Sequence, residues 1–122
     1  MRRFFFLMLI GVCVSCARPE PIRTQNDDVS VVVTIDERSL GFRTGMIQIT
    51  DRRGVPIEDA TVTLTAVMKQ HGMMNPPMSL THRDSGYQFE KLEVNMVGEW
   101  QMRIRIIHST FSTTVEVPIL FE

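Results

Sequence analysis

The sequence predicts an all-β protein, an immunoglobulin-like antiparallel β-sandwich of about seven strands that follows a signal peptide. Apolar side chains alternate with polar ones along several stretches. Such alternation is typical of strands that bury one face and expose the other. Turn-forming residues separate these stretches at regular spacing, as in sandwiches and barrels. No window has the apolar period of an amphipathic helix, so the pattern favours strands throughout.

The N-terminus has the three parts of a secretory signal peptide. Two arginines follow the initiator methionine, an apolar run spans residues 4–14, and small residues then lead to Cys16. The run is too short for a transmembrane helix, which needs about 20 apolar residues. The small residue before Cys16 also fits a bacterial lipobox, in which the cysteine is lipidated and becomes the mature N-terminus. The alternative is ordinary cleavage near Ala17, which releases a soluble exported protein.

We therefore predict three segments. Residues 1–15 are a lipoprotein signal peptide, and Cys16 carries the lipid that serves as the membrane partner. Residues 16–28 contain two prolines and many polar side chains, which predicts a flexible tether. Residues 29–122 form one domain. The expected location is the cell envelope, with the domain lipid-anchored and facing the periplasm or the exterior.

Composition excludes several classes of function. The whole chain has 13 basic and 14 acidic residues, which gives no basic footprint for a nucleic-acid partner. Cys13 lies in the segment to be removed and no cysteine follows Cys16, so disulfides and cysteine-based zinc sites are excluded from the domain. None of the common catalytic motifs occurs. We therefore expect a protein that is not an enzyme.

Seven strands account for the alternating stretches. In the first, Val29, Val31, Val33 and Ile35 share one face. In the sixth, Trp100 lies on the same face as the apolar residues that follow it, which predicts a core position. The predicted strands are, in order, 29–36, 44–51, 60–68, 78–82, 87–93, 99–108 and 111–120.

One loop concentrates residues that bind soft metal ions. Four methionines and one histidine fall within eleven positions; they are Met68, His71, Met73, Met74 and Met78. Thioether sulfur prefers Cu(I), and imidazole suits copper in either oxidation state. The pattern therefore indicates a Cu(I) cofactor. The alternative is that these methionines fill gaps in the core or form an apolar contact patch, since methionine is an adaptable apolar side chain.

Other polar residues give weaker signals. His82 closes the strand after the loop and is positioned to face back toward it, whereas His108 is more typical of a capped strand end. Asp27, Asp28, Asp36 and Glu37 lack the ligand spacing of a calcium loop, so a solvated face is the better interpretation.

Three motifs resemble the YtkA-like family of small exported bacterial β-sandwich proteins. The first is the segment from Ile49 to Val62, with Gly54-Val55-Pro56-Ile57 at its centre. The second is the methionine-rich loop, and the third is Gly86-Tyr87 followed by Met96-Val97-Gly98-Glu99-Trp100. The resemblance covers residues 29–121.

The resemblance implies a role in copper handling. Members of the family often have a Met-Pro-x-Met-x-Met loop after the third strand, and related envelope proteins accompany copper trafficking and oxidase assembly. Here Lys69 stands where the family has the first proline. Two functions remain open: a copper-binding envelope lipoprotein, or an interaction module without metal that binds another envelope protein.

Overall fold

The structure, a computed structural model, describes residues 20–122. The predicted signal peptide and the lipidated Cys16 lie outside the described residues. Nine strands form the described domain, and a single turn of 3-10 helix follows the fourth. The strands are β1 (Ile22–Gln25), β2 (Val29–Ile35), β3 (Gly41–Asp51), β4 (Thr61–Met68), β5 (Met73–Met74), β6 (Met78–Arg83), β7 (Gly86–Val94), β8 (Gly98–Ile107) and β9 (Ser112–Phe121).

The strands make one antiparallel sheet that folds over on itself. Its order is β1-β2-β3-β7-β6-β4-β8-β9, and β5 pairs with β4 outside this path. β6 joins the two halves, because Met78 is opposite Leu64 of β4 whereas His82 is opposite Tyr87 of β7. A strand that pairs with one sheet and then with another makes a corner in the fold.

The two edges of this sheet approach each other and nearly close a barrel. The Asn26 side chain, after β1, donates a hydrogen bond of 2.9 Å to the Thr113 hydroxyl of β9. The Glu122 backbone N–H donates at 2.8 Å to the Arg38 carbonyl of the β2–β3 loop. These contacts shield the unpaired edges, which would otherwise be free to pair with other chains.

Alternation along each strand produces the core. Inward-facing residues of every long strand are buried, and Trp100 is completely so. Its indole N–H donates to the Met96 carbonyl at 3.0 Å, which satisfies the one polar atom that this ring buries. Within residues 20–122 no charged or polar residue is fully buried, so hydrophobic burial provides most of the stabilisation.

The predicted all-β class is confirmed, with two more strands than expected. All seven predicted strands are present, and β1 and β5 are additional. The prediction that the tether extends to residue 28 needs correction, because Ile22–Gln25 pair with Ser30–Val33 of β2. Backbone pairing orders this segment although its side chains are mostly polar.

The domain has two ends. The tether end comprises the segments 36–40, 69–77 and 95–97, together with the first residues of β1 and β3 and the last residues of β9. The opposite end comprises the connections 26–28, 52–60, 84–85 and 108–111. The chain enters the described domain at the tether end.

The Tyr87 hydroxyl holds the long 52–60 connection against β7. It donates to the Ile57 carbonyl at 2.9 Å and accepts from the Ala60 N–H at 3.0 Å. Burial raises the pKa of Tyr87, and the hydrogen bond from Ala60 partly opposes that change. This one side chain therefore satisfies two backbone groups beneath the connection.

We expect Tyr87→Phe to lower the free energy of unfolding by about 1–3 kcal/mol, because two backbone groups lose their partner. Urea denaturation followed by the fluorescence of Trp100, the single tryptophan, measures this change. Thr63→Val removes a hydroxyl from the outer face and should change stability by less than about 0.5 kcal/mol. Equal effects of the two substitutions would contradict the role of Tyr87.

Candidate functional site

The methionine-rich loop is a tight hairpin. β4 ends at Met68, a turn of 3-10 helix covers Lys69–His71, and β5 returns along β4. Gly72 reverses the chain with a φ of 61°, a left-handed conformation that glycine adopts without steric cost. The turn length sets the register, in which Met73 is opposite Met68 and Met74 is opposite Val67.

The register places Met68 and Met73 directly opposite each other. Residues directly opposite each other in an antiparallel pair point to the same face, with Cβ atoms about 4.5–5.5 Å apart. Met68 and Met73 therefore share the face toward the core. Met68 is 0% exposed, whereas Met73 is partly buried and packs at the margin of the core.

The other two methionines of the predicted set lie elsewhere. Met74 points to the outer face and is 60% exposed. Met78 points inward but is opposite Leu64, four positions along β4 from Met68. Four positions correspond to about 13 Å of strand. The structure therefore brings together Met68 and Met73 and separates Met74 and Met78 from them.

The two histidines near this loop differ in position. His71 ends the 3-10 turn, is exposed, and precedes Met73 by two residues. His82 was expected to face the loop, but it lies at the far end of β6. Its ring packs edge-on against Tyr87 with centroids 5.0 Å apart. His71 is therefore the histidine that lies in the same hairpin as Met68 and Met73.

The β7–β8 loop forms the wall behind Met68. The Met68 methyl group lies close to Gly98. A Cβ atom placed on Gly98 would be 2.8 Å from that methyl carbon. Met96, in the same loop, is partly buried against the core. Met96 was not among the predicted metal ligands, yet the fold places it at the tether end with the hairpin. In the sequence, Met96 is marked only by the Met96–Trp100 motif shared with the family.

Asn75 fixes the outgoing arm of the loop. Its backbone N–H donates to the Ala66 carbonyl at 2.9 Å, and its side-chain amide donates to the Glu93 carbonyl at 2.7 Å. Pro76 and Pro77 follow and restrict the backbone further. The hairpin is thus held against both β4 and β7.

An ionic cluster lies beneath the β2–β3 loop at the same end. The Arg43 guanidinium is 2.8 Å from a Glu37 carboxylate oxygen and 4.0 Å from Asp36. The hydrogen bond from Arg43, with a second one from the Ser39 hydroxyl, lowers the pKa of Glu37. This pairing neutralises part of the negative charge of the β2–β3 loop.

Harder metal ligands are not gathered in the described part of the chain. Across residues 20–122, histidine, cysteine, aspartate and glutamate form no group of three or more that could hold a metal ion. Over the same range, no helix is long and apolar enough to cross a membrane.

The fold and this site define a small all-β domain that gathers methionines at one end. The chain belongs to the YtkA-like family, whose model matches residues 23–105, more than half of the sequence. The match begins within β1 and ends within β8, so it includes the hairpin and the Met96–Trp100 motif. The predicted resemblance is confirmed, although it was expected over residues 29–121. No curated protein and no solved structure is similar enough to the chain to count as a match.

We expect Gly98→Ala to destabilise the domain, because the new methyl group meets Met68 and the φ of 130° disfavours any side chain. Strain of this kind costs about 1–3 kcal/mol. Gly54→Ala is the matched control, since Gly54 also has a positive φ, 79°, but has open space around it. Urea denaturation of both variants measures the difference. Equal losses would show that Met68 does not pack against Gly98.

Proposed function

We propose that this protein is a lipid-anchored envelope protein that binds Cu(I) through its methionine hairpin. The observation that carries the proposal is the cross-strand pairing of Met68 with Met73, which puts two residues with soft donors opposite each other on the same face of the hairpin. His71, in the turn between them, adds an imidazole within the same six residues. Thioether and imidazole donors together favour Cu(I) over harder divalent ions.

The donors differ in accessibility, which suggests different roles. Met73 and His71 are partly or fully open to solvent and are the groups that an incoming ion meets first. Met68 is buried and supplies a thioether from the core side. Apolar surroundings limit the access of water to a metal and affect its affinity. We assign the site to Met68, His71 and Met73, and we give Met74 and Met78 no direct part in it.

The proposed anchor defines where this chemistry takes place. Lipidation of Cys16 would keep the domain at a membrane surface in the cell envelope, facing the periplasm or the exterior. A thiol-free domain is suited to an oxidising compartment, because it holds soft metal ions without cysteines that oxidise. A copper chaperone, a copper buffer or an accessory of oxidase assembly would all use such a site.

A specific observation also favours the second candidate, an interaction module without metal. Met74 is 60% exposed although it is a large apolar side chain. Exposed apolar side chains that lie together commonly mark a contact surface. In this alternative, envelope proteins would bind at Met74 and its neighbours, and the pairing of Met68 with Met73 would serve packing alone.

The copper site is tested with the mature protein titrated anaerobically with Cu(I) against a chromophoric chelator. We expect one ion per chain, and we expect Met73→Leu and His71→Gln each to weaken binding about tenfold or more, which corresponds to about 1.4 kcal/mol. Met74→Leu and Met78→Leu are matched controls from the same loop and should retain native affinity. Absence of binding, or equal effects of all four substitutions, would refute the assignment.

The anchor is tested by metabolic labelling with a fatty-acid analogue in a bacterial host. We expect the native chain to be labelled and Cys16→Ser to lose the label, because no other residue fits the lipobox. Cys13→Ser is the matched control and should be labelled as the native chain is. A soluble, unlabelled native protein would support ordinary cleavage near Ala17.

A further inference from the structure

Large apolar side chains are exposed mainly at the tether end. Leu40 lies in the β2–β3 loop, Phe42 follows it at the start of β3, and Val97 lies in the β7–β8 loop. Of the seven large apolar side chains exposed in the described residues, five are at this end and two at the opposite end. At the tether end the exposed fractions are 48% for Leu40, 64% for Phe42, 60% for Met74, 55% for Val97 and 50% for Leu120. At the opposite end they are 53% for Val55 and 43% for Ile107.

Hydrogen bonds connect the loops that carry this apolar rim, defined as Leu40, Phe42, Met74, Val97 and Leu120. The backbone N–H of Glu122, which follows β9, donates to the Arg38 carbonyl of the β2–β3 loop. The Asn75 side chain of the hairpin donates to the Glu93 carbonyl near the end of β7. The rim is therefore part of the folded end of the domain rather than a set of unrelated loop tips. Exposed apolar side chains that form a continuous patch mark contact sites, and these hydrogen bonds tie the loops that carry the rim to one end of the domain.

The path of the chain indicates what the rim faces. β1 begins at Ile22 at the tether end, and the Arg38 side chain donates a hydrogen bond of 2.9 Å to the Glu20 carbonyl. Cys16 precedes Glu20 by four residues, which span at most about 14 Å. The long strands β8 and β9 extend about 33 Å from one end of the domain to the other. A lipid on Cys16 therefore keeps the tether end close to the bilayer.

We propose that the rim rests on the lipid bilayer in the anchored protein, with Leu40, Phe42 and Val97 in contact with lipid. This inference rests on the lipid anchor of the proposed function and is independent of copper binding. The anchor holds the rim at high effective concentration beside the membrane, so even a weak apolar contact is occupied. Side chains of this type insert at the boundary between head groups and acyl chains.

Exposed carboxylates outnumber free basic groups at this end. Glu93, Glu99 and Glu122 are exposed beside the rim, whereas Arg43 is paired with Glu37, Lys69 is paired with Glu116, and the Arg38 side chain bonds to the Glu20 carbonyl. Unpaired carboxylates repel anionic head groups, so apolar contact rather than charge holds the rim. We therefore expect deeper contact with phosphatidylcholine vesicles than with vesicles rich in phosphatidylglycerol.

The experiment uses the full lipidated chain with single cysteines that carry an environment-sensitive fluorophore. The described domain has no cysteine of its own, so each label reports one position. Leu40→Cys and Val97→Cys probe the rim, and Val55→Cys and Ile107→Cys are controls of similar exposure at the opposite end. In phosphatidylcholine vesicles that contain brominated acyl chains, we expect several-fold stronger quenching and a blue-shifted emission at the two rim positions.

Vesicle flotation separates the failures of the two proposals. Protein that does not float lacks the anchor, which overturns both the lipidation and the docking that rests on it. Protein that floats while all four labels stay equally water-exposed keeps the anchor and overturns the docking. If the rim labels are shielded from water to the same extent without vesicles, the rim contacts a second copy of the chain. This result would also overturn docking on the bilayer. Circular dichroism of each labelled variant checks that its fold is unchanged.

Discussion

The fold depends on how β6 divides its hydrogen bonds. Its first residues pair with β4 and its last residues pair with β7, so one short strand belongs to both halves of the sheet. This corner sets the two halves face to face and lets their inward side chains form a single core. It also requires the chain between β4 and β6 to turn back at the tether end, which is why the methionine hairpin is located there.

Within that hairpin, a small geometric constraint decides which methionines meet. Because neighbouring residues of a strand point to opposite faces, Met73 joins Met68 whereas Met74 cannot. One residue more in the turn would exchange their positions and put the exposed thioether inside. Which methionines share a face thus follows from the length of the turn and from Gly72, and not from the number of methionines in the loop.

Much of the fold could be predicted, since alternation reports directly on burial. The inward positions of β2, β4, β8 and β9 all follow from it, and Trp100 is in the core as expected. β1 was missed because its polar residues are ordered by backbone pairing with β2, which leaves no apolar signal. β5 was missed because its two residues are too few to show the alternation of apolar and polar side chains. The ligand candidates could be named, but their separation depends on register, which the sequence does not contain.

The proposed copper site and the apolar rim occupy the same end of the domain for a common reason. The loops at that end are tied to one another through Asn75 and Glu122, so they form one surface. A donor group on this surface would exchange ions near the membrane rather than in the open compartment.

The pairing of distant strands also has a consequence for how the chain reaches its native state. β3 pairs with β7 through Ile47 and Tyr87, and β4 pairs with β8 through Val62 and Ile106, so both contacts join segments about forty residues apart. Closing such long loops before any contact forms makes folding slow. Until β7 and β8 are available, β3 and β4 each leave an edge unpaired and an apolar face uncovered. A chain in which these pairings have not yet formed therefore exposes strand edges and apolar faces that favour aggregation.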